Sequence, residues 1–99
     1  MNRLEVTLSG ALSLRHGERE IGDRAFGGRQ LRLVTAMLVL EREGPLSTDR
    51  LVGELWPAGV PDQWKSALRG LVSQLRHLLV ELGMDGSAVV GRPGSYQFQ

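Results

Sequence analysis

Leu4, Val6 and Leu8 alternate with Glu5 and Thr7. That two-residue period belongs to a strand with one face buried. Ser9-Gly10 interrupts it, and it resumes as Leu12 and Leu14 against Ser13 and Arg15, up to a break at His16-Gly17. Glu20-Ile21 and Ala25-Phe26 read as third and fourth short strands. Residues 1–26 are therefore expected to form a four-stranded antiparallel sheet whose apolar face is covered by the rest of the chain.

Past Gly27-Gly28 the period changes. Leu31, Val34 and Leu38, with Leu33, Met37 and Leu40, predict a helix over Arg29–Glu43 that is buried around most of its circumference. Gly44-Pro45 stops it. Ser47 and Thr48 are candidate caps for a short second helix, Asp49–Trp56, with Asp49 in the first turn suiting the helix dipole. Pro57, Gly59 and Pro61 make a loop, and Asp62 is a candidate cap for a third helix running to about Leu82, closed by Gly83 and Gly86. The tail reads as a hairpin over residues 87–99. In Arg92-Pro93-Gly94-Ser95, Pro and Gly occupy the central positions of a type II turn. The expected fold class is α+β: an N-terminal sheet (1–26), a three-helix core (28–82) and a C-terminal β-hairpin.

On a helical wheel of the third helix, with roughly 100° per residue, Lys65, Arg69, Ser73 and Arg76 fall within about 80° of one another. Trp64, Leu68, Leu71, Leu75, Leu78, Leu79 and Leu82 take a broad apolar sector elsewhere, while Gly70 and Gln74 lie near the boundary. No acidic residue occurs between Gln63 and Val80. A basic stripe alone fits any solvated amphipathic helix. A hairpin with Arg92 at its tip, following that helix, gives the stripe a use. In a winged helix the third helix enters the major groove, and the hairpin lies beside it.

The net charge is +1 over 99 residues, so attraction to a polyanion has to be local rather than summed. Eleven of the twelve cations are Arg, and Lys65 is the sole Lys. With no cysteine, disulfides and thiolate metal sites are excluded, in keeping with a reducing compartment. The N-terminus lacks a signal-peptide pattern, and the longest apolar run, Ala36–Leu40, is too short to span a bilayer. A cytoplasmic location is expected, without membrane association.

Four segments resemble the winged-helix output domain of OmpR/PhoB type, and within that class the SARP-type (antibiotic regulatory protein) bacterial activators. FGGRQLRLVTAMLVL resembles the Gly-Arg and apolar first helix of that family. LSTDRLVGELWP resembles its helix ending in Leu-Trp, ALRGLVSQLRHLL its third helix, and GRPGSYQF its Gly-Tyr wing. Together they cover nearly the whole chain. The resemblance implies binding of double-stranded promoter DNA at direct repeats and recruitment of RNA polymerase by a longer regulator of which this is the N-terminal part. It also implies that Ser73 and Arg76 face DNA and that Arg92 sits in the wing. The full candidate contact set is Lys65, Ser66, Arg69, Ser73, Gln74, Arg76 and His77 on the helix, with Arg92 and Ser95 on the hairpin. Gln74 stands where the family usually carries Arg, though Gln can read adenine. Leu71 stands near a position that is often polar. With about four cations on phosphates, the salt slope is expected at roughly −3 to −4. One domain of such modest charge is expected to need a second copy on DNA, or the rest of the chain. Truncation of Arg76 is expected to weaken DNA binding with little change in thermal stability.

No constellation supports an enzyme, a cofactor or a metal. His16 and His77 belong to no metal-spaced set. Glu41 and Glu43 point to different sides of a helix, and Gly27-Gly28 is too short for a phosphate loop. Trp56, Trp64 and Tyr96 read as packing residues. The alternative reading is a protein-interaction module in which an exposed Leu71 and its neighbours dock RNA polymerase or another domain. A buried Leu71 beside an unobstructed basic stripe favours DNA.

Overall fold

The computed structural model describes residues 4–8 and 11–99. Strands β1 (Leu4–Thr7), β2 (Ser13–His16) and β3 (Arg19–Ile21) form one antiparallel sheet in the order β1-β2-β3. Register follows the alternation in the sequence: Leu4 opposes His16, Val6 opposes Leu14, and Leu14 opposes Ile21. The Ser9-Gly10 break lies outside the described residues.

The expected fourth strand is not formed, and the N-terminal sheet has three strands among the described residues. Asp23–Phe26 winds instead into a 3₁₀ turn. Its backbone groups are satisfied locally: Ala25 donates to Gly22 and Gly27 donates to Arg24. The Asp23 carboxylate fixes the turn, accepting from the Leu12 amide at 3.4 Å and from Arg32 Nη1 at 2.8 Å. Gly27 leaves the turn at φ 71°, a conformation open to glycine. Phe26 thereby drops into the core.

Helix α1 (Arg29–Leu40) follows. It ends before the expected Glu43: Glu41 already leaves helical backbone at φ −110°, ψ 30° and closes the last turn through its N–H to the Met37 carbonyl. Leu46–Ser47 then leaves as a short strand, β4, which the sequence pattern did not signal. Helix α2 (Thr48–Leu55) is capped by Ser47, whose hydroxyl accepts from the Arg50 amide at 3.1 Å. Of the two candidate caps, Ser47 serves and Thr48 becomes the first helical residue. Helix α3 (Trp64–Glu81) starts one residue later than expected. Asp62 sits in a turn closed by Trp64 N–H to Pro61 carbonyl, and the cap position, Gln63, has no side-chain capping bond. A second 3₁₀ turn (Gly86–Ala88) leads into β5 (Val89–Arg92) and β6 (Ser95–Phe98). These two strands and β4 make a second antiparallel sheet, ordered β4-β6-β5.

One core joins all of this. Leu14 from the first sheet and Leu12 just ahead of β2, Val34 and Leu38 from α1, Leu51 and Leu55 from α2, Leu68, Val72, Leu75 and Leu79 from α3, and Val89 and Phe98 from the hairpin are buried together. Burying such side chains stabilises by about 1.5–3 kcal/mol each relative to exposure. Thr35 is the buried polar residue, and its hydroxyl donates to the Leu31 carbonyl at 2.7 Å.

The C-terminus of α3 is closed with unusual completeness. Met84 N–H donates to Leu79 and Gly83 N–H to Val80, with Gly83 at φ 85°. This is the Schellman arrangement. The next two carbonyls are met from the N-terminal sheet: Arg19 Nη1 donates to Glu81 at 3.3 Å and His16 Nδ1 to Leu82 at 3.0 Å. The small sheet thus covers the core and also fixes the end of the basic helix.

Candidate nucleic-acid interface

Leu68, Val72, Leu75 and Leu79 define the buried line of α3. Their direction sets everything else on the helix. Lys65, Arg69, Ser73 and His77 are exposed, and Arg76 is half-buried at the edge of the core. Leu71 is half-buried and packs against the core. Only part of its side chain is left at the surface.

Lys65 and Arg69, in the first two turns of α3, share a cleft of ≈ 360 Å³ with Arg92 and the Pro93-Gly94 turn of the hairpin. Tyr96 and Trp64 form apolar parts of its wall, and Thr48 and Asp49 close it from the start of α2. The cleft is open to solvent on its outer side. The Lys65 ammonium lies 5.7 Å from the Trp64 ring centroid, within range of a weak cation–π attraction. Among the described residues, none of Lys65, Arg69 and Arg92 is in an ion pair; the two ion pairs are Arg32–Asp23 and Arg50–Glu41. Three unpaired cations held around one cleft, from two elements remote in sequence, suit a line of phosphates.

Arg92 reaches the cleft because the hairpin is fastened three times. Its turn is tied to the first residue of α2, where Thr48 N–H donates to the Gly94 carbonyl at 2.9 Å. Its inner strand pairs with β4, Leu46 opposing Tyr96 and Ser47 opposing Ser95. Its outer strand is gripped by α3: Arg76 Nε and Nη2 both donate to the Val89 carbonyl, at 3.2 and 2.9 Å. Gly94 at φ 78° completes the turn that Pro93-Gly94 predicts.

The candidate residues therefore separate by role. Lys65, Arg69 and Arg92 come together. Ser66 and Ser73 are exposed on α3, and Ser95 is half-buried in the hairpin beside Arg92, its register partner. Gln74 and His77 line a different cleft, of ≈ 430 Å³, with Phe26, Leu31 and Leu78. Arg76 lies on the stripe, as the wheel requires, but part of its guanidinium is already bound to the protein backbone. The sequence reading did not find Thr48, whose amide anchors the hairpin, or His16 and Arg19, which close α3. The first depends on β4–β6 pairing between residues half a chain apart. The other two depend on sheet placement, and neither leaves a local pattern.

No helix among the described residues is long and apolar enough to cross a membrane. No family model matches the chain. Over 64 residues, 65% of its length, the chain is 36% identical to the transcriptional regulatory protein EmbR of Mycobacterium bovis and to that of Mycobacterium tuberculosis. The match spans 16% of the length of those relatives. In structure, all of the chain superposes on 26% of Mycobacterium tuberculosis EmbR, solved in complex with a low affinity phosphopeptide, with a TM-score of 0.81 and 29% identity. The chain is thus similar, in sequence and in three dimensions, to one part of a mycobacterial transcriptional regulator.

Proposed function

We infer that the chain is a winged-helix DNA-binding domain of OmpR/PhoB type, closest in kind to SARP activators, and works as part of a bacterial transcriptional regulator. Helix α3 is the recognition helix and β5–β6 the wing. The observation that carries this reading is the shared cleft of Lys65, Arg69 and Arg92. The likeness to EmbR, a transcriptional regulatory protein, supports it.

In this reading α3 lies in the major groove with its exposed edge, Ser66 and Ser73, toward the bases. Lys65, Arg69 and Arg92 meet one phosphate wall. Gln74 and His77, on the other side of that edge, meet the opposite wall or an adenine edge. Recruitment of RNA polymerase and pairing of two copies on repeated sites belong to the whole regulator.

Binding of the folded chain to promoter fragments, titrated at several salt concentrations, tests the reading. Three phosphate-facing cations give a slope of log K against log salt of roughly −3. Salt-independent binding, or none at low ionic strength, overturns it.

A further inference from the structure

We propose that Arg76 is a positioning residue: it sets the wing against α3 by holding the Val89 carbonyl, and it does not itself contact DNA phosphate. The inference rests on the reading of β5–β6 as a DNA-contacting wing.

Arg76 is half-buried on the fourth turn of α3, at the point where the helix passes the start of β5. Its Nε and Nη2 converge on one acceptor, the carbonyl of Val89, whose side chain is buried in the core. Two donors on one oxygen restrain the guanidinium plane as well as its position. Beyond Val89 the strand narrows to Gly91. A Cβ at Gly91 would stand 3.0 Å from the Tyr96 ring and 3.8 Å from Arg76 Nη2. The bare backbone of Gly91 therefore leaves room for the Tyr96 ring and the guanidinium on the same side of the hairpin. Tyr96 is also a wall of the cleft that holds Lys65, Arg69 and Arg92. A continuous set of contacts thus runs from Arg76 through Val89, Gly91 and Tyr96 to the place where Arg92 acts. Two of its five N–H donors are committed to the protein, which leaves Arg76 less free than Lys65, Arg69 or Arg92 to reach phosphate.

A phosphate contact and a positioning bond respond differently to Lys. An ammonium keeps the charge and binds phosphate as a point charge, but cannot reproduce a planar fork on one carbonyl. Arg76→Lys and Arg76→Ala are made in the 99-residue chain, alone and with Arg92→Ala. Amide hydrogen exchange of the free protein is the first readout. The hairpin amides of residues 90–92 and 94–97 are expected to exchange about tenfold faster in both Arg76 variants, while those of α1 keep their protection. Unchanged hairpin exchange, or equal acceleration throughout α1, overturns the proposal.

DNA binding is the second readout. Arg76→Lys is expected to lose affinity nearly as Arg76→Ala does, and Arg92→Ala to cost little further once Arg76 is replaced. Full affinity in Arg76→Lys, or losses at Arg76 and Arg92 that simply add, overturns the proposal. If the wild-type chain binds no DNA, the functional reading falls, and hydrogen exchange alone decides whether Arg76 sets the hairpin.

Discussion

The amide of Thr48 donates a 2.9 Å hydrogen bond to the carbonyl of Gly94, so the first turn of α2 holds the turn of the hairpin. The amides that open a helix have no partner within it, and one of them is met here by a loop almost fifty residues away. Gly94 can offer its carbonyl in this direction because its φ is 78°. Nothing lies within 4 Å of a Cβ built there, so the cost of a side chain is conformational alone. Gly94→Ala is expected to lose about 1–2 kcal/mol, read as a fall of several degrees in the thermal midpoint. An unchanged midpoint would mean that the turn can adopt another form at no cost.

Lys65, Arg69 and Arg92 are expected to behave alike. Each Ala variant should lower the salt slope of DNA binding by about 1. Thermal stability should stay within about 0.5 kcal/mol of the parent, since none of the three is in an ion pair among the described residues. Gln74→Ala is expected to leave the slope unchanged and to shift the preference among DNA sequences. Titrations on several fragments at graded salt concentrations check both halves.

Leu75 is fully buried beneath the basic stripe, with Leu68, Val72 and Leu79 on the same line of α3. Leu75→Ala removes that packing and leaves a cavity, at a cost of about 2–5 kcal/mol. For a domain whose whole stability is of order 5–15 kcal/mol, this is a large share. Urea titration should show a lowered midpoint. A loss below about 1 kcal/mol would mean that the helix can collapse onto the gap.

Asp85 caps the 3₁₀ turn that leads into β5. The Ser87 amide, and after it the Ser87 hydroxyl, hold the Asp85 carboxyl below the ordinary carboxylate range. The folded state therefore prefers the ionised form. The contribution of Asp85 is complete at neutral pH and is lost as pH falls through its depressed value. The stability gap between the parent and Asp85→Ala should be steady near neutrality and shrink below about pH 4. A gap that does not change with pH would remove the charged cap from this account.

Much of the fold was legible because its signals are local. Alternation placed β1 and β2, the 3.6-residue period placed three helices, and Pro93-Gly94 placed the hairpin turn. Ala25-Phe26 misled because two residues carry no period, and the bonds of Asp23 to Leu12 and Arg32 decide their shape. Asp62 has the chemistry of a cap, but the turn closed on Pro61 moved the helix start past it. At the site, the wheel grouped Lys65 with Arg69 correctly because both depend only on the helix. It gave Arg76 the same standing, since a wheel knows angles and not what a neighbouring strand presents. The Val89 carbonyl was visible only once β5 had been packed against α3.

The pairing of β4 with β6 bears on how the chain is made. Leu46 and Ser47 meet Tyr96 and Ser95, so half the sequence lies between the partners. Closing so long a loop is entropically slow compared with forming the helices inside it. On the ribosome, α1 and α2 emerge early, while β4 waits as an unpaired edge until Phe98 has cleared the exit. A nascent chain stopped short of Ser95 would carry the basic helix without the strand that brings Arg92 to it. The cleft shared by Lys65, Arg69 and Arg92 therefore comes into being only after β6 has been made, and until then the two-residue strand β4 is an edge open to pairing with the wrong neighbour.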